Sequence, residues 1–390
     1  MRPGDPAREL EEIAARGRLR RIAPLAEGQG AVVSDPTGAR LVNFSSNDYL
    51  GLASHPGIGE AAARCARDHG FGSGASRLVC GAFSEHSRLE DEIAAFKGTE
   101  AALAFSSGYL CGLTTLTALL GRDDFILVDR LAHACLIDGA RYCGATLRVF
   151  GHNRLDHLES HLKWARCRAA AGSRILVVTE SVFSMDGDTA PLAEMVELKE
   201  RHGALLLVDE AHATGILGPG GRGLGAVADL TSRIDLHMGT LSKALGTHGG
   251  FIAASRPWID LLINRARGLT YSTAPPPPVA AAAAAALEIA ASAEGDALRR
   301  ALGDATGRLG NALVARAAPR VPEDVATPIL PWVVGEDGTA VETAARLRRS
   351  GILVPAIRPP TVPPGTARLR FTACATHTPE HIAELVRALG

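Results

Sequence analysis

Lys243 stands in His237-Met-Gly-Thr-Leu-Ser-Lys-Ala-Leu-Gly246, among small residues and hydroxyls with almost no other charge. Most lysines are solvated surface charges. In these surroundings the ammonium loses hydration, which lowers its pKa and frees the amine to form an imine with a carbonyl and to move protons. Upstream, Leu205-Leu-Leu-Val-Asp-Glu-Ala-His212 reads as a buried strand running into an acid. Asp209 then projects from the C-terminal edge of a parallel sheet, where ligands of open α/β sheets collect. A carboxylate there can keep a heterocyclic nitrogen protonated and so make the ring an electron sink. His212 would enter the same cleft and hydrogen-bond a ring oxygen. An amine and a carboxylate so arranged suit a Schiff-base cofactor. The plainer alternatives are a helix cap or ion pair for Asp209 and a packed histidine for His212.

Other groups extend this pattern. Thr240 and Ser242 offer neutral donors to a phosphate. Ser106-Ser-Gly-Tyr109 follows a strand-like run and opens a helix, and backbone N–H groups at a helix start bind phosphate. Alone that signal is weak, because a glycine at such a turn is usually structural. His133, in Asp129-Arg-Leu-Ala-His-Ala-Cys135, is a candidate to stack on a cofactor ring, or else a buried hydrogen-bonded histidine. Ser184 closes another strand–helix loop, Thr179-Glu-Ser-Val-Phe-Ser-Met-Asp-Gly-Asp188. Gly218-Pro-Gly-Gly-Arg-Gly223 spells a dinucleotide fingerprint, but no strand precedes it directly and Pro219 spoils the helix start. His157 and His161 have helical spacing but lack a third ligand, so no metal is expected.

The elements that must hold these groups are those of an α/β chain. Its 390 residues, 46% apolar, are enough for a large core or two. Forty-one basic residues against 42 acidic give a net charge of −1, with no basic stripe for nucleic acid. Seven cysteines without CxxC spacing fit free thiols in a reducing cytoplasm, and the charged N-terminal residues lack a secretory apolar stretch. No apolar run is long enough to span a membrane. Helical patterns at 7–21, 56–69 and 85–97 flank a hairpin around Asp35-Pro-Thr-Gly38. Seven short apolar runs (101–105, 124–128, 146–150, 174–179, 204–208, 234–238, 249–253) then alternate with helices. That alternation predicts a mostly parallel sheet. After Pro275-Pro-Pro-Pro278 come helices at 279–293 and 296–316 and a mixed tail. The expected division is an N-terminal helix and hairpin segment (1–45), a large α/β domain (46–285) and a small C-terminal α+β domain (286–390).

With these residues quoted, the chain resembles the α-oxoamine synthases, a branch of the fold-type I pyridoxal 5'-phosphate (PLP) enzymes. The likeness is carried by Asp209-Glu-Ala-His212, Thr240-Leu-Ser-Lys243, Gly249-Gly250, Asn43-Phe-Ser-Ser-Asn-Asp-Tyr-Leu-Gly51, Gly72-Ser-Gly-Ala-Ser-Arg-Leu78 and Ser181-Val-Phe-Ser-Met-Asp-Gly-Asp188. It runs from about residue 10 to the C-terminus. The resemblance implies a decarboxylative condensation of an amino acid with an acyl thioester. It implies PLP as a Schiff base on Lys243, Asp209 on the pyridine nitrogen, His212 on the ring oxygen and His133 stacked on the ring. Gly108, Tyr109, Ser184 and Thr240 would complete cofactor binding, and Arg358, Thr361, His133 and Arg20 would contact substrate. Ala356-Ile-Arg-Pro-Pro-Thr-Val-Pro363 is similar to the branch that uses L-alanine with pimeloyl-CoA or pimeloyl-acyl carrier protein in biotin biosynthesis. Glycine-using relatives such as glycine C-acetyltransferase and 5-aminolevulinate synthase are the alternatives, and a PLP aminotransferase is the rival class. Homodimers with active sites at the subunit boundary are expected. Ala132 before His133, where many relatives have Asn, and Cys111-Gly-Leu-Thr after Tyr109 depart from the family pattern.

Overall fold

A computed structural model describes residues 5–316 and 327–390. The seven apolar runs form one sheet in the order Ala101–Phe105, Gly250–Ala254, Leu236–Thr240, Leu205–Asp209, Ile175–Glu180, Phe125–Asp129, Thr146–Phe150. Gly250–Ala254 runs against both neighbours. The remaining pairings are parallel. Helices cover both faces, which is why interior strands such as Ile175–Glu180 and Leu236–Thr240 are buried throughout. Side chains alternate across a strand. Leu206 and Val208 therefore enter one core, with Leu158, Leu162, Met195 and Val196. Leu207 enters the other, with Leu116, Leu136, Ile126 and Ile252.

Two strands, Ala101–Phe105 and Thr146–Phe150, match their apolar runs, and the other five sit one or two residues further along, four of them because a polar end residue (Asp129, Glu180, Asp209 or Thr240) still belongs to the strand. Asp209 and Glu180 are themselves last strand residues. The first helix is shorter than the expected 7–21. It spans Pro6–Ala15, starts where the Asp5 side chain accepts from Ala7 N, and stops at Arg16. Gly17 then takes φ +66°, a left-handed turn that ends the helix.

Contacts divide the chain into two compact units: Leu52–Ser184 with Asp188–Arg299, and Met1–Gly51 with Met185–Gly187 and Arg300–Gly390. The division expected at 285/286 falls inside the helix Pro277–Ala291. That helix packs on Pro56–His69 and Ser84–Lys97, burying Ala280, Ala282, Ala283, Ala284, Ala286 and Leu287, so it belongs to the larger unit. The N-terminal segment is not separate either. The hairpin strands Val32–Ser34 and Arg40–Asn43 gain a third, parallel strand from Ile352–Leu353. A two-stranded hairpin is marginal in water, and the third strand completes it. In the same unit Ile329–Gly335, Ala367–Thr372 and Ala356–Ile357 form an antiparallel sheet. No described helix is long and apolar enough to cross a membrane.

Candidate active site

The C-terminal ends of the central strands open on a cavity of about 230 Å³ in the larger unit. Its walls include Ser107, Gly108, Tyr109, His133, Cys135, Glu180, Asp209, Ala211, Thr240, Ser242 and Lys243. Asp209 is 4% exposed, and its Oδ1 accepts from Ala211 N at 2.9 Å. Burial raises its carboxyl above the ordinary range, opposed by the Lys243 charge, the Ala211 N–H and His133.

Lys243 lies on the loop joining Leu236–Thr240 to the antiparallel Gly250–Ala254. Its Nζ is 2.7 Å from Nε2 of the buried His212, in the turn after Asp209. Gly246 closes that loop, with its N–H donating to Lys243 O at 2.8 Å. At φ +62°, and with an added Cβ only 2.3 Å from Ala53 N, position 246 admits no side chain. Thr240 Oγ1 contacts Gly249 O at 2.7 Å and Ser242 Oγ at 2.8 Å.

The helix Gly108–Leu119 begins at the cavity. Ser107 caps it, its Oγ accepting from Leu110 N at 3.1 Å, and the N–H groups of Gly108 and Tyr109 belong to the first turn, which the helix itself leaves unbonded. The start of this helix lies close to Gly250, where an added Cβ would be 2.6 Å from Gly108 Cα. The approach brings the helix N-terminus beside Thr240. His133 caps the helix Ala134–Tyr142, Nδ1 accepting from Cys135 N at 3.3 Å. With Nδ1 accepting, a neutral ring carries its proton on Nε2. Surrounding protein lowers the His133 pKa, opposed by Asp209 and Asp138 and reinforced by Lys243.

The cavity thus gathers Lys243, Asp209, His133, Gly108, Tyr109 and Thr240, with His212 joined to it through Lys243. Ser184 is not among its lining residues and lies further along the loop that begins at Glu180. Arg20, Arg358 and Thr361 belong to the other unit. There the Arg358 guanidinium donates to Gly17 O, and Thr361 N donates to Arg358 O at 3.0 Å. Arg20 is exposed three residues beyond Gly17. Sequence reasoning passed over Glu180 and Cys135. Glu180 ends an apolar strand just as Asp209 does, and that signal was available. The glycine-rich stretch Gly218–Gly223 is a tight turn containing a short 3-10 helix, held by Lys97 Nζ bonding to Glu210 at 2.5 Å and to Arg222 O. Among the described residues no group of three or more His, Cys, Asp or Glu could hold a metal ion. All seven cysteines are free thiols.

An amine, a buried carboxylate and a helix N-terminus flanked by hydroxyls around one cavity define a Schiff-base site on a mostly parallel α/β sheet. The chain belongs to the class I and II aminotransferase family, whose model matches residues 39–389, and its large sheet is that of PLP-dependent fold type I. Within that family it is 45% identical to the 8-amino-7-oxononanoate synthase of Geobacter sulfurreducens, over 98% of this chain and 96% of the relative. It is 47% identical to the enzyme of the same name from Anaeromyxobacter dehalogenans, over 98% and 94%. Among solved structures, serine palmitoyltransferase from S. paucimobilis with bound PLP and myriocin superposes with a TM-score of 0.90 at 29% identity, covering 98% of this chain and 95% of that one. The 8-amino-7-oxononanoate synthase of Francisella tularensis gives 0.74 at 28% identity, covering 90% and 96%.

Proposed function

We propose that this protein condenses L-alanine with a pimeloyl thioester, on coenzyme A or acyl carrier protein, to give 8-amino-7-oxononanoate, carbon dioxide and free thiol, as in biotin biosynthesis. The observation that carries this reading is the convergence of Lys243 and Asp209 on one cavity, in a chain 45–47% identical to enzymes of that name. The residues fit PLP. Lys243 supplies the amine for its aldehyde, Asp209 a buried carboxylate for its ring nitrogen, and His212 a partner for its ring oxygen. His133 stacks on the ring. Gly108, Tyr109, Thr240 and Ser184 complete its binding, the first-turn N–H groups and the Thr240 hydroxyl suiting its phosphate.

When bound, PLP supplies an electron sink for the pair released as bonds to the amino-acid α-carbon break. Asp209 keeps that sink effective by holding the ring-nitrogen proton. Lys243, beside His212, takes the α-proton and later returns one. His133 presents Nε2–H to the carboxylate or thioester oxygen. Arg358 recognises a substrate carboxylate with its planar fork, with Thr361 and Arg20 as further contacts. The α-carbon joins the acyl carbon, the thiol leaves, and loss of the original carboxylate as carbon dioxide makes the step irreversible.

Two copies pair, with each contributing to the other's site. The exposed apolar side chains Phe71 (68%), Val79 (77%) and Tyr271 (73%) are groups that such pairing would cover.

The test is a matrix of alanine, glycine, serine and one larger amino acid against pimeloyl, acetyl, succinyl and palmitoyl thioesters, read by thiol release and product mass. Alanine with pimeloyl thioester is the expected best pair. Another best pair keeps the family and overturns the substrate. Stoichiometric amino transfer from alanine without acyl donor would instead make the protein an aminotransferase. Alanine differs from glycine by one methyl, worth about 1–3 kcal/mol in a pocket, so a ratio of roughly 10–200 is expected.

A further inference from the structure

Glu180 ends the strand Ile175–Glu180 and pairs in register with Asp209 on the next strand, so two carboxyl groups stand level at one sheet edge. Glu180 is 2% exposed, lines the cavity, and its Oε1 has no hydrogen-bond partner. The charged or titratable groups facing it include Asp209 on the neighbouring strand, Lys243 on the hairpin loop, His133 on the loop before its helix, the Cys135 thiol in that helix, and Asp129 at the end of the strand beyond. Among the described residues Lys243 is the lysine that faces both buried carboxyls, and its Nζ also meets His212. Buried carboxyls at such close quarters do not both ionise. Asp209 has the Ala211 N–H on Oδ1, a bond that favours its charged form. Glu180 leaves Oε1 without a partner, although the His133 backbone N–H reaches its carboxyl.

We propose that Glu180 is a positioning residue that works as a neutral acid, leaving Asp209 the single carboxylate charge of the cavity and steadying the His133 loop. Burial and the Asp209 charge hold its carboxyl well above the ordinary glutamate range, opposed by Lys243 and by the His133 backbone N–H directed at it. The neutral acid puts an O–H donor where an ionised Glu180 would repel Asp209. A second carboxylate would also raise the Lys243 imine pKa and blur the charge that Asp209 directs at the ring nitrogen. This deepens the cofactor reading of the cavity and rests on it only for the ring itself, because the protonation state exists without PLP.

The decisive measurement therefore uses PLP-free protein. Unfolding of wild type, Glu180→Gln and Glu180→Ala is followed by denaturant from pH 5 to 8. The unfolded chain ionises Glu180 near 4.5 while the folded chain keeps the proton, so wild type should lose stability relative to Gln as pH rises. The folding constant should fall by up to about tenfold per pH unit. A wild-type to Gln difference that does not change with pH means an ionised Glu180 and overturns the proposal. Should Gln fail to fold, the infrared carboxylic-acid band of wild type, lost in Ala, serves instead, and its absence at pH 7 is equally fatal. In the PLP-loaded protein, Gln should leave the absorbance titration of the Lys243 imine unmoved, whereas a fall of about one unit or more would show a missing carboxylate charge. A protein that takes up no PLP yet keeps the pH-dependent difference defeats the cofactor reading and upholds Glu180.

Discussion

Lys243 and Asp209 differ from other lysines and aspartates in this chain by what surrounds them. Lys243 shares its loop with Thr240 and Ser242 and meets a histidine nitrogen at 2.7 Å. Asp209 is buried with a single backbone donor on Oδ1. Lys243→Ala should abolish condensation while the protein still unfolds cooperatively, because the side chain is only part-buried and stands on a loop rather than in the core. Loss of both imine formation and proton transfer should exceed the ~10²–10⁴ of one general-base role. Single-turnover assays with added PLP measure it, and near-normal product formation would refute the assignment. Both residues were legible in the sequence, Lys243 because small residues and hydroxyls surround it with almost no other charge, and Asp209 because an apolar run ends at it. Glu180 follows the same pattern and was overlooked, because only the pairing of its strand with Leu205–Asp209 sets it beside Asp209.

The strand-end loops are fixed by polar clamps that no motif announces. His152 follows Thr146–Phe150, bonding Asp129 through Nδ1 at 3.1 Å and Asp188 through Nε2 at 2.7 Å, edge-on to Phe183 at 4.3 Å. Burial alone would lower its pKa, but the hydrogen bonds it donates to the two carboxylates prevail and raise it from 6.5 to about 9. A folded pKa above the unfolded one stabilises fully below 6.5 and loses that contribution as pH rises through 9. His152→Gln should therefore cost more at pH 6 than at pH 10. The difference, discounted for the partly exposed Asp188, is about 1–3 kcal/mol by denaturant unfolding at the two pH values. Equal losses at both would mean an uncharged histidine. The strands themselves were readable as apolar runs, and the hairpin from its Asp-Pro-Thr-Gly turn. The end of the first helix was not, because helical patterning continues past Arg16 while the chain turns at Gly17.

For the whole molecule, pairing of two copies gives the third outcome to check. Val79→Asp puts a charge on an exposed apolar residue of the glycine-rich loop, so a free monomer should tolerate it within about 0.5 kcal/mol. A paired surface should not, and sedimentation should show dissociation with parallel loss of activity. An unchanged, active dimer would move the interface elsewhere. Local order along the chain determined most of what the protein is. Apolar runs and turn residues specify a mostly parallel sheet, and an acid at the end of one run and a lysine among small residues and hydroxyls specify a carboxylate and an amine near one edge. Those signals are local, since burial and backbone conformation act on a few neighbours at a time. Folding in three dimensions decided the rest: that the Ala-rich helix stays with the larger unit, that Ile352–Leu353 completes the N-terminal hairpin, and that Glu180 stands level with Asp209. Each depends on which distant segments share a hydrogen-bond ladder or an apolar face, and strand register and helix packing are set by the fit of whole surfaces rather than by spacing along the chain.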